Sequence, residues 1–252
     1  MGYYKIEMQP ITSIVGKITS ITLFGALCYA IKDLYGEDTL RQDILVNNDG
    51  SNLAVSNLFP HNTLPNQDID SLYTDIYTGK SIMNKETIQT VNHCLLDRDG
   101  KETTLWTNKE TWLESTYDFY IYSKLFDIDD IKQIITLVLK NGLGAKRSVG
   151  KGQFKLKGIE EIEYIGGQVE KANGYMVISD YIPKPEESTL GIYTARIYQG
   201  ATGGVKKAPI YLINAGSKFI GKVESGIVGR LQYDEITNTY TSGIALTIPI
   251  MV

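Results

Sequence analysis

Gly142-Leu143-Gly144-Ala145-Lys146-Arg147-Ser148-Val149-Gly150-Lys151-Gly152-Gln153-Phe154 is the stretch on which the reading of this chain turns. Four glycines let a backbone approach a ligand closely and adopt positive φ. Lys146, Arg147 and Lys151 add charge and Ser148 a hydroxyl, a chemistry suited to a phosphate backbone. The run is no Walker loop, because Ala145 stands five residues before the Gly150-Lys151 pair. It is no dinucleotide fingerprint either: Arg147 occupies the third glycine position, and a strand rather than a helix follows. The plain alternative is a turn with surface lysines.

Upstream, Ile128–Lys140 has the period of an amphipathic helix, with Asp127 as N-cap and Asp129 and Asp130 in its first turn. Downstream, Gln153–Lys157 alternates as a strand. Between Ile131 and Ile159 there are seven Lys or Arg and no Asp or Glu, so a chain of net charge −4 carries −11 elsewhere. A concentrated basic segment on an acidic body fits a local phosphate site within a larger assembly.

Further out, Tyr3–Met8 alternates as a first strand ended by Pro10. Thr19–Tyr35 is helical with Gly36 as its stop, and Arg41–Val46 reads as a second strand. Gly50–Leu105 is irregular and too long for a structureless loop, so it is read as an insertion with its own hairpin, turning at Asp97-Arg98-Asp99-Gly100. Thr116–Tyr122 returns as an aromatic strand. The pattern β-α-β-(insertion)-β-α-β is an α+β, ferredoxin-like unit over residues 1–157. Residues 158–252 form a β-rich second half, with strands at Tyr175–Ser179, Ile192–Tyr198, Ile210–Ile213 and Ile244–Ile250.

Composition sets limits on function. At 252 residues, 42% apolar and 21% charged, the chain can bury a real core. Cys28 and Cys94 stand without a CxxC spacing, which points to a reducing compartment and neither a disulfide framework nor a zinc site. The longest apolar run, Ile18–Ile31, is too short to span a bilayer, and a cytoplasmic protein is expected.

Acid–base chemistry has few candidates. His61 and His93 both fall in the insertion and read as exposed loop residues, while seventeen tyrosines keep a Tyr–Lys nuclease open. Asp68, Asp70 and Asp75 lack companion ligands and read as a solvated loop. Ser148 has no paired histidine nearby in sequence. Tyr117, Phe119, Tyr120 and Tyr122 suit either base stacking or a stripe shared between core and interface. Lys206-Lys207 is a second basic contact or a polar turn.

The helix, the glycine-rich run and the following strand together resemble the glycine-rich loop of the RAMP superfamily of CRISPR proteins. Pro10 and Thr22-Leu23-Phe24-Gly25-Ala26-Leu27 resemble that superfamily's first strand and helix. Ser56-Asn57-Leu58-Phe59-Pro60, Asp97-Arg98, Ala215-Gly216-Ser217-Lys218-Phe219 and Gly243–Ile250 resemble the 5′-tag-capping group of Csm-type, type III-A effector complexes. Ala145 departs from the pattern, where glycine is frequent.

The resemblance implies two ferredoxin-like (RRM-like) halves with an inserted thumb hairpin, no catalysis and no cofactor or metal. The implied partners are the 5′ repeat-derived tag of the crRNA, a large palm-domain subunit and a backbone RAMP subunit, with no membrane. Carried onto this chain, the RNA-binding residues are Gly142, Gly144, Lys146, Arg147, Ser148, Gly150, Lys151 and Gly152, joined by Thr12, Ser13, Lys17 and Thr19 at the entry to the first helix. A metal-independent endoribonuclease of the same superfamily and an RNA-free structural adaptor stay open as alternatives.

Overall fold

The structure is a computed structural model describing residues 2–46, 52–66, 72–84, 86–96, 103–165, 172–187, 189–221, 223 and 226–251. The expected turn at 97–100 and two acidic residues, Asp68 and Asp70, lie outside the described residues.

The alternation at the N-terminus produces a nine-residue strand, Gly2–Pro10, whose even positions Tyr4, Ile6 and Met8 are buried. It lies inside an antiparallel sheet between Tyr117–Ser123 and Phe154–Ile162, with Leu53–Val55 and Phe59–Pro60 beyond Tyr117–Ser123. In chain order the four main strands stand fourth, first, third, second, and a helix connects each outward crossing. Helix α1 (Ser20–Tyr35) buries Leu23, Phe24, Leu27, Ala30 and Ile31. Helix α2 (Ile128–Asn141) buries Ile131, Ile134, Ile135, Val138 and Leu139. Spacings of three and four residues put each set on one face, and both faces close over the sheet as one core. Asp127 caps α2 as expected: its carboxylate accepts from the N–H groups of Asp129 and Asp130, while Asp130 accepts from Asp127 N–H.

Arg41–Val46 is not a strand: Thr39–Val46 is a wide helical segment, with Ile44 fully buried and Leu40 and Leu45 against the core. Leu40 and Ile44 are four apart, a helical spacing that outweighed the strand propensity of Ile44-Leu45-Val46. Gly50–Leu105 is also not one unit, since Leu53–Val55 and Phe59–Pro60 belong to the first sheet. The rest is a small sheet of Thr63–Pro65, Leu72–Asp75 and Ser81–Met83, and a hairpin of two eleven-residue strands, Glu86–Leu96 and Thr103–Leu113. The hairpin is tied down by Ile14–Val15, which pairs with Glu110 and Thr111.

The strand from Phe154 runs on to Ile162, where it pairs with Tyr3, so the first sheet continues past the boundary expected at 157/158. The second sheet orders Gly191–Ile192, Lys218–Ile220, Gly174–Val177, Ala245–Ile250 and Ile227–Val228, all antiparallel, and no helix occurs there among the described residues. Ile192–Tyr198 divides: Gly191–Ile192 joins this sheet, and Ala195–Tyr198 pairs instead with Ile210–Ile213.

The sheets pack face to face. Ala54, Phe59, Tyr120 and Tyr122 of the first meet Met176, Leu246 and Ile248 of the second, with Ile178 just beyond its central strand, in a shared core. All seven residues of Tyr117–Ser123 are buried, so the aromatic stripe is core and offers no platform for bases. The Ser56–Pro60 segment fastens the layers: Ser56 N–H donates to the Tyr120 carbonyl while Ser56 Oγ accepts from Tyr120 N–H, Asn57 N–H donates to the Ile178 carbonyl, and the Asn57 side chain accepts from Ser20 N–H at the start of α1.

Candidate nucleic-acid interface

The glycine-rich run is anchored at both ends and projects in between. Gly142, at φ 74°, ends α2, and buried Leu143 turns the chain back to donate its N–H to the Gly152 carbonyl at 2.8 Å. Gly152 N–H donates to the Ser13 carbonyl at 2.9 Å, and Ala145 N–H to the Val15 carbonyl at 3.2 Å. Residues 145–150 are all exposed and form a short 3₁₀ turn over Arg147–Val149, entered through Lys146 at φ 60° and left through Gly150 at φ 82°.

The glycines do different jobs. A Cβ on Gly152 would stand 1.8 Å from the Leu143 carbonyl oxygen, so that position serves the loop's own packing. A Cβ on Gly150 would meet nothing within 4 Å, leaving its backbone open to an incoming group.

The structure brings Thr12 and Ser13 against this loop. Thr12 Oγ1 accepts from Gln153 N–H, and Ile11 N–H donates to the Gln153 carbonyl. Lys146 and Arg147 extend into solvent on the projecting part; Arg147 makes one long contact, 3.5 Å, to the Gly142 carbonyl. Lys151 differs. Its Nζ lies 2.6 Å from Glu110 Oε2 on the hairpin and 3.1 Å from Ser13 Oγ, which itself donates to Glu110 at 2.6 Å. Glu110 is buried, and the donors Lys151 and Ser13 hold its carboxyl below the ordinary 4.5 despite desolvation. Nothing in the sequence linked Glu110 to a loop 41 residues later; only the pairing of Ile14–Val15 with the hairpin unites them.

Lys17 and Thr19 face elsewhere. They line a cleft of about 390 Å³ between the start of α1, the 57–59 turn and the second half, together with Tyr73, Arg196 and Tyr198. Arg196 forks onto buried Asp180, at 3.2 and 2.6 Å, and also donates to Asn214. These residues were not singled out in the sequence, because the tertiary fold assembles them from four separated segments.

Both histidines are half-buried rather than exposed, His61 in a turn and His93 in a strand. His61 Nδ1 is 2.8 Å from fully buried Asp118, which also receives Lys5 and the N–H of Asn62. His93 lies on a hairpin strand, stacked on Trp106, with Nε2 3.8 Å from Glu110 Oε1; both atoms are buried and neither has a hydrogen-bond partner. Asp75 caps its own turn by accepting from Tyr77 and Thr78. Among the described residues no group of three or more His, Cys, Asp or Glu is arranged to hold a metal, and no helix is long and apolar enough to cross a membrane. Lys207 reaches the Tyr240 carbonyl and Thr241, so of the pair at 206–207 only Lys206 is exposed.

No family model and no curated protein matches the sequence. Solved structures do. A chain of the Csm3–Csm4 subcomplex in the type III-A CRISPR–Cas interference complex matches at a TM-score of 0.65 with 13% identity, over 100% of both chains. A chain of the Csm1–Csm4 cassette in complex with cA4 matches at 0.62 and 14% identity, over 100% of this chain and 99% of that one. The cassette in complex with AMPPNP gives 0.61 and 14%, over 100% and 98%. From end to end, this chain has the fold of a subunit of the type III-A CRISPR subcomplexes.

Proposed function

We propose that the chain is a non-catalytic crRNA-binding subunit of a type III CRISPR effector complex, holding the 5′ repeat-derived tag on its glycine-rich loop. The observation that carries this reading is the projecting 145–150 segment, which offers Lys146, Arg147, Ser148 and an open glycine backbone on an otherwise acidic body. Cationic side chains and close backbone approach are what a phosphate chain requires. The whole-chain likeness to subunits of Csm3–Csm4 and Csm1–Csm4 assemblies supports the partners: a backbone RAMP subunit on one side and a large palm-domain subunit on another. In the first half, the strand order and the two crossing helices agree with the β-α-β-β-α-β arrangement of a ferredoxin-like unit, and the hairpin takes the part of the thumb.

Nine of the seventeen tyrosines are ill suited to the nuclease alternative. The phenols of Tyr3, Tyr4, Tyr35, Tyr117, Tyr120, Tyr122, Tyr175, Tyr181 and Tyr198 are all pushed upward by burial, the opposite of what a tyrosine base requires.

The test is purification of the tagged chain from its native cell with sequencing of the bound RNA. Short RNAs sharing one repeat-derived 5′ end, accompanied by a large palm-domain protein, are expected; other partners without RNA would remove the assignment. In vitro, Lys146→Ala with Arg147→Ala should lower the salt slope of single-stranded RNA binding by about 1.4. An unchanged slope would sink the loop as the site.

A further inference from the structure

Glu110 stands behind the projecting loop rather than in it. Its strand pairs with Val15, and Val15 in turn receives the Ala145 N–H, so backbone hydrogen bonds run unbroken from hairpin to loop. At that junction Glu110 Oε2, Ser13 Oγ and Lys151 Nζ form a closed triangle with sides of 2.6, 2.6 and 3.1 Å. Ser13 also receives Gly152 N–H on its carbonyl, so the triangle and the loop's last clamp share one residue. A buried carboxylate with two such donors neutralises its lysine inside the protein.

We infer that Glu110 is a positioning residue: it withdraws Lys151 from the RNA, locks the end of the loop, and makes the loop's shape depend on the seating of the hairpin. This rests on the loop being the RNA grip. Lys146 and Arg147 are then the cations the loop presents, and Lys151 is a structural one.

The test uses the full chain as Glu110→Gln, Lys151→Met and the double variant. The probe is a fluorescein-labelled single-stranded RNA of about 20 nucleotides and mixed sequence, titrated by anisotropy across about 50 to 300 mM KCl. Lys151→Met should leave the salt slope at its wild-type value. Glu110→Gln keeps the hydrogen-bonding shape but frees the lysine's charge, and should raise the slope by about 0.7, the contribution of one further phosphate contact. The double variant should return to the wild-type slope. A slope lowered by about 0.7 in Lys151→Met would mean that this lysine grips a phosphate, and the inference would fall.

Amide exchange at Gly152 and Ala145 provides a readout without RNA. Each single variant should lose about tenfold protection there, with no further loss in the double. Unchanged protection, or losses that add, would overturn the inference. If the wild type binds no RNA, the proposed function fails by itself, and the exchange cycle still decides whether Glu110 positions the loop.

Discussion

Asp118 shows what individual residues do in this chain. It is fully buried in the first sheet, yet its carboxylate receives Lys5, His61 and a backbone N–H from the 61–62 turn. Removing one member of a buried ionic group leaves the others unpaired, so Asp118→Ala should cost about 3 kcal/mol in urea unfolding. A loss within about 0.5 kcal/mol, the range of ordinary surface changes, would show that the group is solvated rather than buried. Glu110 makes a pH prediction. Its carboxyl is held below 4.5 in the folded chain, so the unfolded chain binds its proton first as pH falls. The stabilisation is complete above that ordinary value and is lost as pH drops through the folded value. The stability difference between wild type and Glu110→Gln should therefore be flat from about pH 7 to 5 and shrink below that range; a difference that grows toward acid would contradict the pairing.

Among the elements, the loop is specified by its glycines. Gly152 lies at φ 68° with no room for a Cβ beside the Leu143 carbonyl. Gly152→Ala should destabilise by at least about 2 kcal/mol, from the left-handed backbone and the clash together. Gly150→Ala meets open space and should cost only about 1 kcal/mol, from its positive φ. Equal effects in chemical denaturation would refute this division of roles. The hairpin is the other distinctive element, standing out on two long strands with Glu110 near its base. The Lys151 contact to the hairpin is made at that base.

Across the whole molecule, the shared core decides behaviour. Leu246 is fully buried where the second sheet meets Tyr120 and Tyr122, and Leu246→Ala should cost about 2–5 kcal/mol. Because that core spans both halves, calorimetry should record a single transition with equal van't Hoff and calorimetric enthalpies. Two resolved transitions would mean that the halves fold independently. A deletion of residues 50–105 removes Leu53, Val55 and Phe59 from the two cores and should unfold the chain. Replacing residues 90–109 by Asn-Gly joins Gln89 to its partner Glu110 and should leave the fold intact, as read by near-UV circular dichroism.

Local pattern was enough for α1, α2 with its Asp127 cap, the presence of the first strand, and the basic glycine-rich turn. Each depends on residues a few positions apart, whose period or turn chemistry has one reading. The helical segment at 39–46 escaped because Ile44-Leu45-Val46 suits a strand as well as a helix, and only burial of Leu40 with Ile44 separates the two. The roles of the charged residues were decided by tertiary structure alone. Lys146, Arg147 and Lys151 look alike in sequence, but a carboxylate brought 41 residues along the chain neutralises only the last. Likewise, whether Tyr120 and Tyr122 meet bases or a second sheet depends on what covers them, and that surface comes from residues more than 50 positions away. A side chain's charge and polarity are written locally, but its partner and its access to water are set by the packing of distant segments.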